Sequence, residues 1–138
     1  MKRFMFPENF PENKRFEIDD VDREFMLNAM KQLPREAGYD PEEYPDNYVK
    51  FFLYGDTENA IPDEIKIYNK IGQAYGTLTE TAYITNVSKD VDFFLSATVL
   101  VNKNGIFNDD NYEYETIGIP FFAALGRAIY ELQLNRKK

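Results

Sequence analysis

Residues 65–102 hold three strand-like runs joined by connections short enough for an antiparallel meander. Ile65, Ile67, Asn69 and Ile71 alternate with Lys66, Tyr68 and Lys70, the period-2 pattern of a strand. Thr77–Asn86 is a second extended run, containing Leu78, Ala82, Tyr83 and Ile84. The third, Val91–Asn102, is the most apolar; its Phe93, Phe94, Leu95, Val99, Leu100 and Val101 predict a strand covered on both faces. Gln73–Gly76 and Val87–Asp90 make the two connections.

Helical patterns flank these runs. From Asp19 or Asp20 onward, Val21, Phe25, Ala29 and Leu33 recur at helical spacing, the aspartates cap the first turn, and Pro34 ends the run. Residues 34–47, with Pro34, Gly38, Pro41 and Pro45, read as an ordered surface loop. A short helix or turn around Tyr48–Leu53 stops at Gly55. After a polar loop containing Asn104-Gly105 and Asn108-Asp109-Asp110-Asn111, Pro120 opens a closing helix lined by Phe121, Leu125, Ile129 and Leu132. Arg136, Lys137 and Lys138 complement its dipole. The fold class is α/β in the α+β sense: a three-stranded antiparallel meander with an N-terminal helix and a long C-terminal helix. Residues 1–18, rich in Pro, Asn and charge with scattered Phe, read as an extended arm docking aromatics on a single domain, 19–138.

Composition narrows the chemistry. A chain of 138 residues that is 43% apolar buries a real core. Its 12 Phe and 10 Tyr predict an aromatic-rich interior. The net charge of −8 argues against nucleic-acid binding, which needs a basic surface to displace counterions. With neither Cys nor His, disulfides, thiolate metal sites, zinc hydrolase chemistry and a His-assisted triad are excluded within this chain. No run of eighteen apolar residues exists, so no membrane-spanning helix is expected. Met1–Pro7 is basic but has no apolar stretch after it, so it does not read as a signal peptide. Asp109, Asp110, Glu113 and Glu115 lack the alternating ligands and central glycine of a calcium loop. They read as a solvated loop, and no metal or cofactor is expected.

One motif carries more. Lys70-Ile71-Gly72 sits on the first strand, followed by Gly76-Thr77 and the apolar Ala82-Tyr83-Ile84. This resembles the Lys-Thr/Ser-Gly strand of class A β-lactamases and penicillin-binding proteins. The order of strand, tight turn, strand, strand and long closing helix is also similar, over residues 60–138. The resemblance implies a C-terminal part of a β-lactamase-like serine hydrolase. Lys70 would then meet a substrate carboxylate, Gly72 would allow close approach of the backbone, and the Gln73 amide would be an oxyanion-hole donor. Such a donor is worth about 2.7–4 kcal/mol in the transition state. It further implies cell-envelope work for the full-length family.

Two departures bear on activity. Ile71 replaces the family's hydroxyl residue. The two serines, Ser88 and Ser96, begin Ser-Lys-Asp-Val and Ser-Ala-Thr-Val, so neither forms Ser-x-x-Lys, and no Ser-Asp-Asn is present. No complete catalytic set is expected; the partner is a separate N-terminal half carrying the nucleophile, or a second copy of the chain. The alternative is a non-catalytic binding domain that self-associates through a sheet edge.

Overall fold

Residues 1–136 are described by this computed structural model, and they form an α+β fold around one antiparallel sheet in the order β1–β2–β3. β1 is Ile65–Ala74, β2 is Thr77–Asn86 and β3 is Val91–Leu100. The helical segments are α1 (Lys2–Met5), α2 (Asp20–Lys31) and α4 (Ile119–Leu134); α3 (Phe51–Tyr54) is a kinked turn in which Phe52 and Leu53 leave the helical region. Lys137 and Lys138, read from sequence as completing the charge complement of α4, lie outside the described residues.

Local chemistry sets the two turns. Tyr75 and Gly76 both take positive φ, 51° and 82°, as a type I′ hairpin turn requires. Gly76 is fixed sterically as well, because a Cβ there would lie 2.7 Å from Cβ of Asn102. At the β2–β3 connection the Asn86 side chain accepts from the Lys89 N–H and the Ser88 hydroxyl, and Asp90 turns the chain at φ 52°.

One face of the sheet is dry. Strand alternation points Ile67, Leu78, Ala82, Ile84, Val91 and Phe93 into a core shared with Phe51, Phe52, Ile119 and Phe122. On α4 the buried stripe is Ile119, Phe122, Ala123 and Gly126. That is a rotation from the expected face, since Phe121 and Leu132 are exposed while Leu125 and Ile129 are only partly buried. Gly126 explains the rotation: a Cβ there would sit 2.5 Å from the Leu53 nitrogen, so only glycine lets α4 rest on α3. The contact is fastened by Arg127, which donates to the Leu53 carbonyl and to both Asp56 oxygens, each at 2.7 Å.

Three expectations are corrected. No residue of α2 is buried, and Val21 and Phe25 are 77% and 73% exposed, because α4 already covers the dry face and leaves α2 only the flank of β1. Leu33, the last residue of that predicted stripe, is buried only after the helix has ended. β3 is not covered on both faces; Asp92, Phe94, Ser96, Thr98 and Leu100 are exposed on its outer side. The arm is not extended either: α1 and two 3-10 turns, Pro7–Asn9 and Glu12–Lys14, coil it. Phe6 then meets Tyr83 and Phe94 edge-on, with ring centroids 5.4 and 6.1 Å away.

Candidate functional site

β1 is an edge strand, and Lys70 stands on its outer face, opposite α4. Its side chain is exposed, and its Nζ donates to the carbonyl of the adjacent Ile71 at 2.6 Å. Lys70 and its cross-strand partner Thr81 form one wall of an open groove of about 600 Å³. The opposite walls come from the arm and from α2. The lining is predominantly apolar: Met1, Phe4, Phe16, Ile18, Met26 and Met30. Gly72, two residues on, shares the outer face with Lys70 and is exposed. A Cβ added there would meet nothing nearer than Cβ of Thr79 at 3.9 Å, so packing does not demand glycine at this position.

Gln73 falls in the opposite phase. Its side chain lines a different cavity, with Asn47, Tyr48, Phe51 and Glu115. Lys70 and Gly72 are therefore brought to one surface, while the Gln73 side chain is not; the role read for Gln73 from sequence belongs to its backbone amide. Ile71 packs against the core cluster, so a hydroxyl there would face the interior rather than the groove. The two serines are engaged elsewhere: Ser88 donates to Asn86, and Ser96 pairs with Thr81 at 2.7 Å. Thr79 and Thr98 pair likewise at 2.9 Å, giving the outer face a row of hydroxyls.

Sequence reasoning missed the most unusual polar cluster. Lys50, Asn69 and Glu80 are buried behind β1, at 1%, 7% and 0% exposure. Lys50 Nζ donates to three acceptors: the carbonyls of Met30 and Ile67, and Asn69 Oδ1. Asn69 Nδ2 donates to the Val49 carbonyl and to Glu80 Oε1, each at 2.6 Å. Glu80 Oε2 accepts the Phe52 N–H at 2.8 Å. Three donated hydrogens require the ammonium form of Lys50, and two incoming donors suit a carboxylate at Glu80. The amide of Asn69 thus bridges two charges that do not touch. Burial pulls the Lys50 ammonium down to about 8, opposed by the Glu80 charge. Burial pushes the Glu80 carboxyl up to about 7, against the hydrogen bonds from Phe52 and Asn69. A signal existed: Asn69 and Glu80 occupy inward phases of β1 and β2, amid Ile67, Ile71, Leu78 and Ala82.

Arg35, in the 3-10 turn Pro34–Ala37, ties that turn to the segments that follow it. It pairs with buried Asp46 and reaches the Ile61 carbonyl and Asp63 at 3.3 Å each. Glu36 instead caps a 3-10 turn by accepting the Leu33 N–H at 2.9 Å.

Among the described residues no group of three or more acidic side chains is placed to hold a metal ion, and no helix is long and apolar enough to cross a membrane. No protein-family model, no curated protein and no solved structure matches this chain.

Proposed function

We propose that this chain is the C-terminal, substrate-binding part of a β-lactamase-like serine hydrolase, inactive by itself because its nucleophile belongs to another segment. The observation that carries the reading is Lys70 on an edge strand, exposed to an open groove on the face away from α4. A cation there suits a substrate carboxylate. Gly72 supports it independently: where packing does not call for glycine, its missing side chain leaves room for a ligand to approach the strand backbone. The Gln73 N–H, on the same strand, is the oxyanion donor of this reading. The test is to add a fluorescent penicillin and, separately, to follow amide resonances on titration with an unlabelled one. No covalent adduct forms, and the Gly72 and Gln73 amides shift in a way that Lys70→Ala abolishes. Covalent labelling of this chain, or shifts confined to other regions, would sink the reading.

A second reading is a binding domain that self-associates through β3. It is favoured by the outer edge of that strand: ten residues, no Lys, no Pro, a single charge at Asp92, and no strand paired to it among the described residues. The edge of β1, by contrast, is partly occupied by the Lys50 bond to the Ile67 carbonyl and is flanked by α2. Sedimentation decides: a dimer that a Thr98→Pro change dissociates, since the Thr98 N–H points away from β2, favours this reading, and a monomer at micromolar concentration removes it.

A further inference from the structure

Three of the six arginines of this acidic chain gather at one place. Arg3, Arg15 and Arg23 line a hollow of about 180 Å³ together with Phe4, Phe16 and Asp20. Among the described residues only Arg23 of the three is paired with a carboxylate, Asp20 at 2.8 Å. Arg3 is held differently: its guanidinium carbon lies 5.9 Å from the ring centre of Phe10 and 5.7 Å from that of Phe16. Those aromatic faces position the cation without neutralising it. Arg15 donates Nε to the Phe10 carbonyl at 3.0 Å. Its terminal nitrogens make no hydrogen bond among the described residues, which leaves a guanidinium edge ready for an anion.

The hollow does not stand alone. Phe4, Phe16 and Ile18 also line the apolar groove that runs past Met26 and Met30 to Lys70, so the two spaces share a wall. Flexible Met side chains with Phe make an adaptable apolar lining. Among the described residues Glu17 is the one carboxylate on that groove, and Asp20 the one in the hollow. A cationic end joined to an apolar trough is complementary to a ligand with the same two parts.

We infer that the arm and α2 form a binding site for a single-chain anionic amphiphile, its head at Arg3 and Arg15 and its chain along Phe16, Met26 and Met30. Binding requires no nucleophile, so the inference does not depend on the hydrolase reading and survives its failure, although its apolar part is the groove that Lys70 faces. Arginine recognises an oxyanion through paired N–H donors, and the groove removes the chain from water.

Calorimetric titration of the whole chain with decanoate, decanol and acetate tests this. Decanoate binds and is weakened by salt, decanol binds at least about tenfold more weakly, and acetate gives no heat. The double change Arg3→Gln/Arg15→Gln brings decanoate down to the decanol level, and Met26→Asp weakens both, with circular dichroism checking that each variant is folded. Absence of decanoate binding overturns the site. So do equal affinities for decanoate and decanol, or indifference to the arginine changes. Acetate binding as tightly as decanoate reduces the feature to an anion hollow and overturns the amphiphile.

Discussion

Glu80→Gln turns the buried charge pair into a measurable pH effect. Glu80 ionises near 7 in the folded chain, against 4.5 for its ordinary value. A raised carboxyl pKa means that the native state holds the proton more tightly than the unfolded chain. The resulting stability is fully present below 4.5 and is lost as pH rises through 7. Every tenfold difference in proton affinity between the folded and unfolded chain corresponds to about 1.36 kcal/mol, so between pH 5 and pH 8 this residue removes about 2–3 kcal/mol from the native chain. Lys50 acts in another window: with its pKa lowered from 10.5 to about 8, its contribution is complete above 10.5 and lost as pH falls through 8. Asp56, whose carboxyl the Arg127 hydrogen bond holds below 3.8, matters only in stronger acid. Between pH 5 and 8 Glu80 therefore contributes the larger part of the change, with Lys50 entering at the upper end. Gln cannot ionise, and it leaves one of the two donors, Phe52 N–H or Asn69 Nδ2, facing an amide N–H₂, at a pH-independent cost of about 1–3 kcal/mol. Urea unfolding at successive whole pH values from 5 to 8 should show the variant gaining about 2–3 kcal/mol on the parent across that range. A constant difference between the two would refute the assignment of the titration to Glu80.

Two further outcomes follow from the packing. Gly126→Ala forces α4 off the Leu53 backbone and should cost about 1–3 kcal/mol or more by thermal or urea unfolding, since backbone cannot yield as a side chain does. Gly72→Ala and Lys70→Ala, both exposed, should leave stability within about 0.5 kcal/mol of the parent while changing any ligand response of the β1 surface, which separates a binding role from a packing one.

The meander and the closing helix were legible because they rest on local rules: alternation in Ile65–Ile71, a turn at Tyr75-Gly76, and Pro120 in the first turn of α4. The faces were harder to read. Phe121 and Phe122 are equally apolar, and only the close approach at Gly126 selects the second for the core. Val21 and Phe25 carry a convincing helical stripe, yet nothing in their own spacing reveals that α4 already occupies the sheet's dry face. For the candidate site, Lys70 and Gly72 were visible as a motif. The groove facing Lys70 was not, because its other walls come from the arm and α2, far earlier in the chain. Lys50 was invisible for a related reason: its three acceptors, at Met30, Ile67 and Asn69, converge only in three dimensions.

The buried amide of Asn69 has one more consequence. Hydrophobicity alone sets the orientation of β1 only in part: Ile67 is buried, but Ile65 and Ile71 are half-buried, and Lys66 and Lys70 on the other side have long apolar stems. A slip of one residue against β2 would exchange the two sides of the strand. It would also carry Asn69 away from Lys50 and Glu80, stranding two charges in the interior. The side of the sheet on which Lys70 appears is thus decided not by hydrophobicity alone but also by an internal key, cut from one amide and fitting only one alignment of the strands.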